Sequence, residues 1–214
     1  IEDFHPDSFK SNPLLEMFYV AGTQVTTLPE TLFDNTPNLL WFYFYYNGNL
    51  VHLPTNFLRA ATKLEILFLN DCNLDVWDSA WSQSPHLFFI SMAGNHIKEL
   101  PMNAFNSSIL DTLSLDNNEF TVLDSNSMGD LSSLEYFYIG GNSIYSIDEI
   151  IFTQATKLKS LESLSNVCVD RDFPDFDLNR AEYMNILKPC FDSFKKSEGN
   201  QLITSSQLIK LIIF

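Results

Sequence analysis

Basic residues are scarce in this chain, and their scarcity argues against several classes of function. The 214 residues include 12 Lys or Arg against 27 Asp or Glu, for a net charge of −15. Residues 1–156 hold 19 acidic and 4 basic side chains, whereas residues 157–214 hold 8 of each. Because nucleic acids and anionic lipid surfaces are bound by basic patches, neither is expected as a partner. A basic partner is favoured instead.

Cysteine and long apolar runs are also scarce. Three Cys are too few for a disulfide-based scaffold. No stretch reaches the roughly 20 apolar residues of a membrane-spanning helix, so membrane insertion is not expected. The apolar segment 208–214 contains a Lys and is shorter than the tail of a GPI signal. The start at Ile1, without Met or a signal-like segment, is expected of a processed protein or an excised piece.

One pattern, LxxLxLxxNxIxxLPxxxF, recurs along most of the chain. The repeats start at Leu15, Leu39, Leu64, Leu87, Leu110, Leu134 and Leu158. Residues 1–14 fit the end of an earlier repeat, and the repeat at Leu158 is degenerate. A single repeat cannot bury its apolar side alone, so neighbouring repeats are expected to stack into a solenoid.

This pattern resembles the leucine-rich repeat family in its extracellular form of about 24 residues per repeat. The resemblance covers residues 1 to about 168 and is to secreted animal proteins, insect ones in particular. It implies an α/β solenoid, a horseshoe with one parallel concave sheet, an irregular convex side and a C-terminal helical cap. The expected division is a repeat solenoid at 1–167, a Cys-containing cap at 168–192 and a tail at 193–214.

Two ladders of repeated side chains are predicted inside the solenoid. Asn47, Asn95, Asn118 and Asn142 follow the strands, where an amide side chain can bond backbone groups that a turn leaves unpaired. Thr23 and Cys72 replace Asn in two repeats, and Cys72 is expected to be a buried free thiol. The second ladder, on the outer side, comprises Phe9, Phe33, Phe105, Met128 and Phe152.

The C-terminal Cys-containing segment resembles the cap of extracellular leucine-rich repeat proteins. That resemblance implies a disulfide between Cys168 and Cys190, and hence an oxidising, extracellular location. Zinc binding is the alternative, which two Cys without a nearby His disfavour. A helix is predicted from about Asp177 to Leu187, with Pro189 beyond its end.

The sequence contains no recognisable catalytic, metal or cofactor site. The four His fall in different repeats, outside the strand segments, and the usual nucleophile, phosphate-loop and zinc motifs are missing. An enzyme is therefore not expected, and no cofactor or metal is predicted. One N-glycosylation sequon begins at Asn106, on the expected outer side.

Six consecutive aromatic residues, 41–46, give the strongest functional signal. Side chains alternate between the two faces of a strand, so Phe42 and Phe44 are expected in the core and the others on the concave face or its edge. Concave residues lie two, four and six positions after each repeat start. The predicted ligand-binding residues are Met17, Tyr19, Trp41, Tyr43, Tyr45, Ile66, Phe68, Phe89, Tyr136 and Tyr138.

A contiguous aromatic surface of this width is typical of a binding site. The family resemblance implies protein recognition through the concave face, as in innate immunity, adhesion or receptor ectodomains. The sequence favours a protein, peptide or small apolar ligand there. The alternatives are a homodimer formed through the same face, as in a structural or adhesion protein, and a face stabilised by cross-strand pairs or covered by the tail.

Overall fold

A computed structural model describes residues 1–50, 52–105 and 107–211 of the chain. Seven short parallel strands form one sheet: β1 Met17–Ala21, β2 Trp41–Tyr45, β3 Ile66–Phe68, β4 Phe89–Ser91, β5 Thr112–Ser114, β7 Tyr136–Tyr138 and β9 Ser160–Glu162. Their order in the sheet follows the chain. Each strand begins two residues after a predicted repeat start, so the expected solenoid with one parallel concave sheet is confirmed.

The convex side carries short elements where the repeat pattern departs from its Leu-Pro step. In three repeats Asp replaces Pro, and a short helix follows: a 3₁₀ helix Ser79–Ser82, α1 Ser125–Met128 and α2 Glu149–Gln154. In each, the Asp side chain accepts a hydrogen bond of 2.9–3.0 Å from a backbone N–H of the first turn. Strands β6 Val122–Leu123 and β8 Ser146–Ile147 pair as a separate ribbon.

The outer aromatic ladder is longer than predicted. Phe57 packs edge-to-face against Phe33 with ring centroids 6.4 Å apart, and Trp81 packs in the same way against Phe57 at 5.9 Å. Trp77 then bridges Trp81 to Phe105, at 5.4 and 5.6 Å. Large aromatic side chains thus complete the outer ladder in the two repeats, starting at Leu39 and Leu64, for which the sequence predicts no ladder residue.

The asparagine ladder is present and extends one repeat further, to Asn166. Asn118 illustrates its bonding: Nδ2 donates to the carbonyls of Met92 and Leu115 at 3.0 and 3.1 Å, and Oδ1 accepts from the Ile97 N–H at 3.1 Å. Asn166 makes the same kind of contacts to Ile139 and Ile144. The ladder therefore joins successive turns of the solenoid.

Cys72 interrupts this ladder at a place where an amide is not needed. It is a buried free thiol, as predicted. The preceding repeat, which starts at Leu39, has one additional residue after Asn47. This addition lets the Leu50 N–H donate a hydrogen bond of 2.8 Å to the Asn47 carbonyl. The backbone donor that an Asn at position 72 would satisfy already has a partner, so a small apolar side chain fits.

The C-terminal helix differs from the prediction. Helix α3 spans Arg180–Leu211, so the predicted helix from about Asp177 to Leu187 starts too early and ends too soon. Pro189 lies inside the helix on its exposed side, while Leu187, Cys190 and Phe191 are buried. That burial offsets the backbone bond lost at proline. The helix also runs across the predicted boundary between cap and tail at 192 and 193.

The end of the sheet beyond β9 is covered. Phe173 exchanges two backbone hydrogen bonds with Leu161, at 2.8 and 3.1 Å. A disulfide joins Cys168 to Cys190, with Cα atoms 5.3 Å apart. Within the described part of the chain, no helix is both long and apolar enough to cross a membrane. The predicted glycosylation residue Asn106 lies outside the described residues.

Candidate recognition surface

Strand register brings eight predicted site residues together on the concave face. Two rows run across the strands, since the partners in neighbouring strands are Met17, Trp41, Ile66 and Phe89 in one row and Tyr19, Tyr43 and Phe68 in the other. Tyr45 ends strand β2 on the same side. We call these eight residues the aromatic face.

The rings of the aromatic face contact one another across the strands. Tyr43 lies between Tyr19 and Phe68, with centroid distances of 6.1 and 5.8 Å. Phe68 stacks on Phe89 at 6.4 Å. The hydroxyls of Tyr19 and Tyr45 are hydrogen-bonded to each other, and this bond raises the pKa of Tyr45 above its usual value. The surface is therefore continuous.

The aromatic face is open to solvent, most of all on strand β1. Tyr19 is 59% exposed and Met17 is 45% exposed, whereas Trp41, Tyr43 and Phe68 are half-buried by their neighbours. Trp41 donates its indole N–H to Glu65, so its polar atom is satisfied within the protein. What remains available to another molecule is largely apolar ring surface.

The other two predicted site residues form a separate pair. Tyr136 and Tyr138 lie on β7, beyond the polar side chains Thr112 and Ser114 of β5. Lys159 lies over the Tyr136 ring, 5.9 Å from its centroid. Burial raises the pKa of Tyr138, and the negative charge of the neighbouring Glu162 makes the second largest contribution to the rise. The structure therefore does not join this pair to the aromatic face.

An acidic residue that sequence reasoning did not select lies beside Tyr138. Asp116 accepts hydrogen bonds from the Gly140 N–H at 2.7 Å and from the Ser114 hydroxyl at 2.9 Å. Burial raises the pKa of Asp116 to about 6, and the charges of Glu162 and Asp172 add to the rise. Asp116 lies six positions after a repeat start, and this position alone could have placed it on the concave face.

The concave positions as a whole carry negative charge. The residues two, four and six positions after the seven repeat starts include Asp116 and Glu162, and none is Lys or Arg. Glu65 adds a carboxylate at the edge of the aromatic face. Among the residues that the structure describes, no group of three or more His, Cys, Asp or Glu could hold a metal ion. The arrangement suits binding of a cationic, partly apolar surface.

Comparison with known proteins is consistent with this architecture. The family model "Leucine rich repeat" matches residues 85–144 and 108–166. The chain is 24% identical over 204 residues to "Transforming growth factor beta activator LRRC33" of Danio rerio, covering 93% of this chain and 29% of that protein. The chain thus spans less than a third of that relative's length.

Comparison with crystal structures gives two matches, of which the first supports the fold. The leucine-rich repeat domain of APL1B superposes with a TM-score of 0.58 at 16% identity, over 78% of this chain and 62% of that one. The LRIM1/APL1C complex gives a TM-score of 0.48 at 22% identity, over 78% of this chain and 38% of that one.

The chain has the horseshoe fold of leucine-rich repeat proteins, and its residues 85–166 match the model of that family. The fold follows from the strand order and the APL1B domain, and the repeats at residues 85–166 from the family match. Leucine-rich repeat folds are typically protein-interaction modules, not enzymes.

Proposed function

We propose that this chain is an extracellular recognition module that binds a protein or peptide partner through the aromatic face. The observation that carries the proposal is the continuous surface of eight apolar side chains, led by Tyr19, Trp41 and Phe68. Such side chains dominate binding hot spots because each gives a large rigid contact area. The disulfide supports an oxidising location.

The partner we propose is cationic as well as apolar. The concave positions include two acids and no base, and the molecule carries a net charge of −15. A partner segment with alternating basic and apolar side chains would meet both features. A second copy of this chain would bring the same negative charge to the interface, which disfavours the homodimer alternative.

The Danio rerio relative is named as an activator of a growth factor. Its name supports protein recognition as the general activity of such repeats, and the 24% identity leaves the partner of this chain open. The alternative function, a structural or adhesion protein, predicts instead that two copies of this chain form a homodimer.

Binding of defined peptides tests the proposal. The test variant is Trp41→Ser, Tyr43→Ser, Phe68→Ser. The matched control is Val76→Ser, Met102→Ser, Ile150→Ser, which removes three exposed apolar side chains from positions outside the sheet. A labelled peptide of alternating Arg and Leu is titrated by fluorescence anisotropy, with an alternating Glu and Leu peptide as the negative control.

The expected result is that wild type and the control variant bind the Arg peptide, more weakly as salt rises, and that the test variant does not. Equal binding by the two variants would contradict the proposal. Light scattering gives the second readout: a wild-type dimer that the test variant converts to a folded monomer would favour the homodimer.

A further inference from the structure

Every repeat places one residue in the left-handed backbone conformation at the end of its strand. It lies seven positions after the repeat start, and φ ranges from 49° to 69° at Gly22, Tyr46, Asp71, Gly94, Asn117, Gly141 and Ser165. This conformation lets the chain leave the sheet at the same point in every turn. Glycine adopts it without steric cost, and Asn and Asp tolerate it well.

Tyr46 is the one residue with a large side chain among these seven, which otherwise are Gly, Asp, Asn or Ser. A bulky side chain at φ 53° is strained, because its Cβ crowds the backbone. The ring does not offset that strain by burial, since Tyr46 is 64% exposed. Its aromatic contact is with Tyr45, at 5.2 Å between centroids. Neither the backbone nor the core accounts for tyrosine at this position.

The place of Tyr46 in the surface suggests why it is there. Its neighbour Tyr45 also contacts Tyr19 at 5.4 Å and Phe68 at 5.7 Å, so the four rings are connected. Tyr46 extends the aromatic surface beyond the end of strand β2, to the point where the chain leaves the sheet. We call this edge of the concave face the rim. The next repeat has Asp71 at the equivalent rim position.

We infer that Tyr46 is a partner-contacting residue that helps determine specificity by offering its exposed ring to a basic side chain of the partner. The inference rests on the proposed function of the aromatic face. A cation over a tyrosine ring is attracted by the ring's electron-rich face. The partner's basic group would lie at the rim while its apolar groups contact the strands. The strained backbone is then retained for binding and not for folding.

The test compares Tyr46→Asn and Tyr46→Gly with wild type, using the alternating Arg and Leu peptide. Tyr145→Asn is the matched control, because Tyr145 is also exposed and lies outside the sheet. We expect both Tyr46 variants to bind the peptide at least about threefold more weakly, while the control binds as wild type. The urea unfolding midpoint is measured in parallel and should be unchanged or higher in the Tyr46 variants.

Each other outcome has a definite meaning. Wild-type affinity in the Tyr46 variants, with binding lost in the Trp41, Tyr43, Phe68 triple variant, overturns this inference and leaves the proposed function standing. Wild-type affinity in the triple variant overturns the proposed function. A lower unfolding midpoint in Tyr46→Asn shows that the fold needs the tyrosine and overturns the inference. A wild-type protein that does not bind the peptide overturns both.

Discussion

The indole N–H of Trp41 donates a hydrogen bond of 3.2 Å to Oε2 of Glu65, a residue of the next repeat. This bond fixes the plane of a ring in the middle of the aromatic face. It also satisfies the polar atom of the indole, so a partner could cover the ring without leaving a donor unpaired. One repeat thus orients the main aromatic side chain of another, and places a carboxylate beside it.

The charge beside Trp41 is expected to govern fluorescence quenching. Trp77 and Trp81 are only 4% and 2% exposed, so soluble quenchers report mainly on the half-buried Trp41. With each quenching constant divided by that of free N-acetyltryptophanamide, the value for the cation Cs⁺ should exceed that for the anion I⁻, since Glu65 repels anions. Glu65→Gln should reduce the difference between the quenching constants of the two ions. Trp41→Phe should remove most quenching by both ions. A normalised quenching constant of wild type that is larger for iodide than for caesium would contradict the described environment.

Adjacent asparagines are expected to differ sharply in their contribution to stability. Asn118 is buried and bonds four backbone groups, so Asn118→Ala should lower the free energy of unfolding by about 3 kcal/mol. Asn117 is exposed with φ 52°, so Asn117→Gly should change it by less than about 1 kcal/mol. Urea denaturation measures both. Similar losses in the two variants would show that the ladder does not act as described.

Thiol titration checks both Cys72 and the disulfide. Burial raises the pKa of Cys72 to about 12, so native protein at pH 8 should not react with a thiol reagent. Denaturation without reductant should expose one thiol per chain, and denaturation after reduction three. Three reactive thiols without reductant would mean that Cys168 and Cys190 are not joined.

Repeat spacing was enough to predict the sheet and the positions on its concave face. The rows of Met17 with Trp41 and of Tyr19 with Tyr43 followed from counting residues after each repeat start, because parallel strands in a solenoid pair in register. Whether partners bind there is a separate question. Spacing indicates which side chains share a surface and does not identify the molecule that they contact.

Features that depend on packing were harder to predict. Phe57 and Trp81 belong to the outer ladder although both of their repeats depart from the pattern. The repeat of Phe57 has one added residue, and the repeat of Trp81 lacks the Leu-Pro step. Pro189 suggested a helix end, yet the buried neighbours Leu187 and Cys190 hold the helix together through it. Local propensity gives way in such places to tertiary contacts.

The carboxyl of Asp116 is expected to make stability pH-dependent. Burial raises its pKa to about 6 in the folded protein, against about 3.9 in an unfolded chain. The folded state therefore holds the proton more tightly, and this group should lower stability as pH rises from about 4 to about 6.

Asp116→Asn removes that charge and can keep both hydrogen bonds, since an amide oxygen accepts from the Gly140 N–H and an amide N–H donates to the Ser114 hydroxyl. At pH 7.5 the variant should be more stable than wild type by about 1 kcal/mol, after allowance for solvent screening. At pH 4 the two should be equal. Asp75→Asn, which removes the same charge from an exposed position, controls for net charge. Urea unfolding of the three proteins at both pH values decides the matter, and an advantage of Asp116→Asn that persists unchanged at pH 4 would show that the raised pKa is not its cause.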